Sequence, residues 1–247
     1  MRNTISSAAL LLVLGLGSPL AARAAAGDTG QAANGNFEGD VTMRISTDRS
    51  NGPQDVTVHV KGDQVRYDLP PSSNQQHEPM QAIVDMGKKR VMLVMPTQKT
   101  YAVLDMNKIP PESKQAAARR LEGAAADWTA SPNGTPQTVA GRSCDPWQAT
   151  DTKTNMKIDA CLAPSVRIDF DRLLPSSLLP PAWTDKLRNG QMPMSATVHS
   201  ADGKQTFDAR VTSVTPKTVP ASTFAAPAGY KQVTLPLTAF GDMLPRQ

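Results

Sequence analysis

Aromatic side chains make up only 4% of this 247-residue chain, and it has two cysteines and three histidines. So few cysteines exclude a disulfide-dense scaffold and leave room for one bridge at most. His59, His77 and His199 lie far apart and form no His-x-His or His-x-x-x-His ligand pattern. Neither sign of charge dominates: 26 Lys and Arg against 22 Asp and Glu give a formal net charge of +4. With 39% hydrophobic residues, that balance excludes a disordered polyelectrolyte. No short period recurs, which excludes collagen-like and coiled-coil chains. The apolar run from Ala8 to Leu16 is about half the ~20 residues a membrane-spanning helix needs. What remains is a globular chain long enough for one large domain or two small ones.

The first 24 residues read as a secretory leader. Arg2 gives a positive start, Ala8–Leu16 an apolar centre, Ser18-Pro19 a break, and Ala22-Arg23-Ala24 a small-x-small cleavage pattern. An uncleaved anchor is the alternative. No cysteine follows the apolar run, so the pattern is not that of a lipoprotein. Cleavage removes Arg2 and Arg23, and the net charge falls from +4 to +2. A near-neutral chain has no electrostatic reason to seek nucleic acid. Export to the periplasm places Cys144 and Cys161 in an oxidising compartment, where a pair is most simply one disulfide. A redox or metal pair is the rival, but Cys144-Asp145-Pro146-Trp147 lacks the second cysteine of a Cys-x-x-Cys motif.

Residues 25–36 are small and polar, a flexible lead-in. Period-two alternation then begins. Val41, Met43 and Ile45 alternate with Thr42, Arg44 and Ser46, and Val56, Val58 and Val60 with Thr57, His59 and Lys61. Val65, Tyr67 and Leu69 continue it after Gly62-Asp63. Residues 83–86, 91–95 and 101–106 are three more strands, separated by Gly87-Lys88 and Pro96-Thr97-Gln98 turns. Six short strands in succession predict an antiparallel meander and exclude a doubly wound parallel sheet. Residues 112–126 read as a helix, with Ala117, Leu121, Ala124 and Trp128 on one thin face. Ser131-Pro132-Asn133-Gly134 reads as a turn. Strands resume over 137–140, 147–150 and 156–161, and helical spacing of Val166, Phe170 and Leu174 follows. Asp202-Gly203 joins strands over 191–199 and 205–213. No linker breaks the chain, so residues 37–235 form one domain and 236–247 a tail.

The second half resembles a known family. Gly141, Cys144, Trp147 and Cys161-Leu162-Ala163-Pro164 look like a Gly-x-x-Cys-x-x-aromatic hairpin with a Cys-x-x-Pro exit. Phe224, Pro227, Gly229 and Tyr230 form a Phe-x-x-Pro-x-Gly-Tyr ending. These resemble an exported bacterial family of unknown function, DUF4412-like, related to the lipoprotein-localisation-factor (LolA/LolB-like) superfamily. The resemblance implies a mainly β (α+β) fold: a curved antiparallel sheet, an unclosed β-barrel, with covering helices. It also implies an apolar cavity that takes an acyl chain, and so a lipid or lipidated ligand.

Catalytic chemistry finds no support in the residues. There is no Gly-x-Ser-x-Gly elbow, no Ser-x-x-Lys and no Gly-rich phosphate loop. No catalytic residue, metal ligand or cofactor is therefore assigned, and the histidines read as surface groups. Eleven methionines could suggest Cu(I) thioether ligation, but methionine within strands more simply fills a core or lines an adaptable apolar site. Lys88-Lys89-Arg90 reads as a solvated hairpin tip, with contact to an anionic lipid surface as its alternative. The candidate ligand-facing residues, taken from alternation, are Val41, Met43, Ile45, Val56, Val58, Val60, Met92 and Met194. The expected function is a carrier that buries an apolar ligand. The rival is a structural or interaction protein of the envelope with a filled core.

The leader reading makes one direct prediction. Intact mass of the exported protein should correspond to a chain starting near Ala25; a membrane-bound product that keeps residues 1–24 would refute it.

Overall fold

Alternating side chains need a surface to bury one face, and here neighbouring strands supply it. The computed structural model describes residues 20–22, 37–48, 52–71, 78–110, 127–164, 166–168, 183, 185, 186 and 191–234. Six consecutive strands form the expected meander: β2 (Glu38–Thr47), β3 (Gln54–Lys61), β4 (Gln64–Leu69), β5 (Met80–Asp85), β6 (Arg90–Met95) and β7 (Thr100–Asp105). The second half adds β8 (Trp128–Pro132), β9 (Gln137–Val139), β10 (Arg142–Asp151), β11 (Lys157–Ala163), β13 (Met192–His199), β14 (Gln205–Pro216) and β15 (Lys231–Val233). All belong to one 13-stranded sheet in the order β15-β7-β6-β5-β4-β3-β2-β14-β13-β11-β10-β8, with β9 on β10. Every pairing is antiparallel except that of β15 with β7. The end strands do not pair with each other, so the sheet is unclosed. Twisted open sheets of this width rarely stay flat.

The two halves meet where β14 lies on β2. Nine register pairs run from Phe207↔Thr47 to Pro216↔Gly39, interrupted by a bulge between Val211 and Ser213. Just past the bulge, β14 approaches β2 closely. A Cβ on Gly39 would stand 2.3 Å from the Thr215 carbonyl oxygen, and Gly39 has φ +156°. Only glycine fits that contact.

A strap over the outer face follows β14. From Lys217 the chain crosses β2, β3 and β4 and delivers β15 to the far edge beside β7. Ion pairs and hydrogen bonds fasten it. Lys217 Nζ lies 2.5 Å from Asp40, and Lys61 pairs with Glu38 at 3.0 Å. The Val219 N–H donates to Glu38 at 2.6 Å, and its carbonyl accepts from Lys61 at 2.6 Å. Arg66 bonds both Asp68 and the Thr223 carbonyl. Beyond these, Val219 and Phe224 pack on Ile83 and Val94, with Met92, Tyr101 and Tyr230 around them. This gives the sheet a small second core on its outer side.

Several sequence expectations change. Trp128 is not on a helix but opens β8, where it registers with Asp151. The expected turn starts later, because Ser131 and Pro132 still pair with Gln148 and Trp147. The helical spacing from Val166 fails at its start: Val166–Ile168 is strand β12, paired with β1 (Leu20–Ala22) in a separate two-stranded sheet. A strand partner outweighs spacing over so short a run. That β1 segment lies within the expected leader. Covering helices are not seen among the described residues. Those residues hold two 3-10 turns, Met106–Lys108 and Ala221–Phe224, and helical positions at Trp183, Asp185 and Lys186. The helix expected over 112–126, the lead-in 25–36 and the tail 236–247 lie outside the described residues. No described helix is long and apolar enough to cross a membrane.

Cys144 and Cys161 are joined as a disulfide, with Cα atoms 5.4 Å apart and 17 residues of separation. β10 pairs with β9 around Cys144 and with β8 beyond Trp147, so the bridge pins β11 where β10 changes partners. A loop of that size corresponds to about 3 kcal/mol in the chain-entropy account. Cys144→Ala with Cys161→Ala should lower the urea-denaturation free energy by about that amount. An unchanged midpoint would show that the bridge does not constrain the unfolded chain.

His59 supplies a pH prediction. Its Nδ1 lies 2.7 Å from Asp40, its Nε2 lies 3.1 Å from Asp68, and only 17% of its side chain is exposed. Contact with Asp68 first, and with Asp40, raises its pKa above 6.5 against the opposing pull of burial. The imidazolium is the form that bonds both carboxylates, so its stabilising contribution is full below 6.5 and is lost as pH rises through the raised folded value. Asp68 is shifted the other way, down from 3.8: burial opposes the shift, and His59 and Arg66 outweigh it. Its contribution fades as pH falls through that lowered value. The stability difference between wild type and His59→Gln should therefore shrink from pH 6 to pH 9. A difference constant over that range would count against the doubly bonded imidazolium.

Candidate functional site: the inner apolar face

The inner face is continuous across both halves because the register carries it from strand to strand. One row runs Val214, Val41, Val58, Tyr67, Ala82, Leu93 and Ala102. Beside it, Val211, Met43 and Val56 align. All but Val214 are buried, most of them at 1–3% exposure. Burial raises the pKa of the Tyr67 phenol. All of these side chains but Ala102, with Phe37, Trp183, Met192, Met194, Val198 and Phe207, belong to one hydrophobic cluster, Val214 at its partly buried margin.

A second row has a different character. Trp147 registers with Ala160, Ala160 with Ala196, Ala196 with Ala209, and Ala209 with Ile45. Three alanines in line across β11, β13 and β14 form a row of small side chains, here called the trough, bounded on one side by Ile158, Val198 and Phe207. Strands stand about 4.8 Å apart, so the trough is roughly 10–15 Å long. Trp147 closes one end and Ile45 the other. The three alanines are themselves only 2–9% exposed, so small side chains here let larger groups pack closely over them.

Of the eight ligand-facing residues expected from alternation, Val41, Met43, Val56, Val58, Val60 and Met194 are buried in this cluster, and Ile45 packs against it partly buried. Met92 is the correction. It registers with Ile83 and Val103 and joins the outer core under the strap. In β6, Leu93 faces inward, and apolar residues on both faces erased the alternation that would have shown it. Three features were missed altogether. The alanine trough exists only once strands are in register. Trp183 sits outside any strand pattern, yet is 1% exposed in the cluster. His59, read as a surface group, is held between two carboxylates.

On the outer side, an open recess of about 420 Å³ lies at the β7 edge, lined by Arg90, Val103, Asp105, Lys108 and Ile109 among others. Its mixed charge and openness contrast with the inner face. Among the described residues no group of three or more His, Cys, Asp or Glu is placed to hold a metal ion. The disulfide fits an exported protein.

No curated protein matches the chain. Among solved structures, an uncharacterized conserved protein from Thermus thermophilus is 8% identical at a TM-score of 0.47, covering 94% of this chain and all of that one. The MucA/MucB complex of Pseudomonas aeruginosa overlaps 80% of this chain at 13% identity and a TM-score of 0.42; the match spans 58% of the chain compared. A putative outer membrane lipoprotein-sorting protein domain from Vibrio parahaemolyticus covers 76% of this chain and 89% of its own, with 10% identity and a TM-score of 0.30. The hairpin cysteines and the Phe224-to-Tyr230 ending both fall inside a matched family span, residues 37–230, and the chain belongs to that family, the domain of unknown function DUF4412.

Proposed function

We propose that this protein is a periplasmic carrier of an apolar, acyl-type ligand, released from its leader by cleavage and acting by binding rather than catalysis. The observation that supports the reading best is the alanine trough, Ala160–Ala196–Ala209, set in an otherwise bulky inner face. A purely structural sheet would fill such a row with larger side chains, since packing contacts are what hold a core together. Met43, Met192 and Met194 lie in the same cluster. Unbranched, polarisable methionine adapts to ligands of varied shape. Val41, Val56, Val58, Val60 and Ile45 supply the rest of the apolar surface. Burying an acyl chain there gains ~25 cal/mol per Å² of apolar area removed from water.

Displacement of a fluorescent fatty acid from the delipidated exported protein tests this. The expected result is saturable binding by the wild type. Ala196→Leu fills the trough at a cost of about 1–3 kcal/mol, within what a stable domain tolerates. It should keep the wild-type circular dichroism and weaken binding by at least about ten-fold, since the tail loses its apolar burial. No saturable binding by a folded, delipidated wild type would overturn the carrier and leave the filled-core envelope protein. Wild-type affinity in Ala196→Leu would remove the trough as the seat.

A further inference from the structure

We propose that the Trp147 end of the trough holds an anionic head group, so that the ligand is an acidic amphiphile bound through Trp183 and Lys186. The inference rests on the carrier reading and adds the head-group chemistry to it. Three buried side-chain atoms among the described residues lack a hydrogen-bond partner: Trp128 Nε1, Trp183 Nε1 and Gln191 Oε1. Leaving a buried donor unpaired is costly, and folded proteins keep few such groups. Two of these groups, on Trp183 and Gln191, flank Lys186 in the chain. Trp128 stands on β8 opposite Asp151, on the face of Trp147 but four residues from it along β10, about 13 Å away. Trp183 and Lys186 lie three positions apart at helical residues, and the Lys186 carbonyl accepts from the Gln191 N–H at 3.0 Å.

Lys186 ties this group to the trough. Its ammonium sits 4.2 Å from the centroid of the Trp147 ring, the residue that ends the alanine row. Among the described residues no carboxylate pairs with it. A cation half-buried on an aromatic face, without an anion, keeps its charge available. The carboxylate nearest in register to Trp128 is that of Asp151. It is already taken up by Thr154 and by the N–H groups of Asp127 and Lys153. One unpaired indole N–H, that of Trp183, and the Lys186 ammonium three positions on, which has no carboxylate partner among the described residues, therefore mark the Trp147 end, where an acyl chain lying on Ala196 and Ala160 would emerge. Carboxylate and phosphate ester oxygens are the acceptors that satisfy such a set. The Gln191 oxygen suits a hydroxyl or amide on the same head group.

Three probes of equal tail length separate the possibilities: dodecanoate, dodecyl phosphate and methyl dodecanoate, titrated into the delipidated exported protein. At least one anionic probe should bind about ten-fold or more tighter than the neutral ester, in keeping with charge-assisted hydrogen bonds. The better of the two identifies the head as carboxylate or phosphate. Trp183→Phe keeps the ring and removes the donor; Lys186→Met keeps the stem and removes the charge. Each should abolish most of that preference, weakening the anionic probe far more than the ester. Circular dichroism checks folding, and should Trp183→Phe unfold, Lys186→Met alone decides. Equal binding of ester and anions, or an undiminished preference in a folded variant, overturns the head-group assignment while the carrier stands. Binding of no probe by the wild type overturns the carrier and this assignment with it.

Discussion

The pairing of β14 with β2 is the constraint on which the rest depends. Without it the chain is two separate antiparallel pieces, each with one apolar face and two open edges. With it, one apolar face runs without a break from β10 to β7. The register of this one seam decides that Ala209 meets Ile45 and that Val211 meets Met43. A slip of one residue would turn either set outward. The bulge at Val211–Ser213 and the bare Gly39 backbone fix the seam in one place, since the close approach of Thr215 is available only there.

The two faces solve different problems. The inner face gathers almost all the large buried side chains and one row of very small ones. The outer face carries charge, yet over β5 and β6 it is apolar enough to need cover. The strap provides that cover, and its fastening is electrostatic at one end and hydrophobic at the other. Glu38 and Lys61 each serve an ion pair and a Val219 backbone bond, so neither carries an idle polar group. This economy explains why so few side chains hold fourteen residues of irregular chain.

Much of the strand order was legible from alternation, because Val41 through Leu69 have one wet face and one dry face. The cysteine pair was legible for a chemical reason, the oxidising compartment that the leader reading implies, and the family for a motif reason. Legibility ended where a strand is apolar on both sides. Met92 and Leu93 are equally apolar, and only the strap decides which of them faces outward. Trp128 was misread because its partner, Asp151, is more than twenty residues away. Alanine is the hardest residue to read: Ala160, Ala196 and Ala209 look unremarkable until three strands set them in line. His59 likewise gains its partners only through strand pairing, from Asp40 on one side and Asp68 on the other.

The seam between β14 and β2 also bears on how the polypeptide acquires its structure. Its partners are about 170 residues apart in the chain, so the pairing carries a high contact order. β2 emerges from the ribosome well before β14 and stays without one neighbour until β14 has been made. Loop closure over that distance is slow compared with local hairpin formation. The meander therefore exposes a sticky edge during synthesis, which invites holding by chaperones.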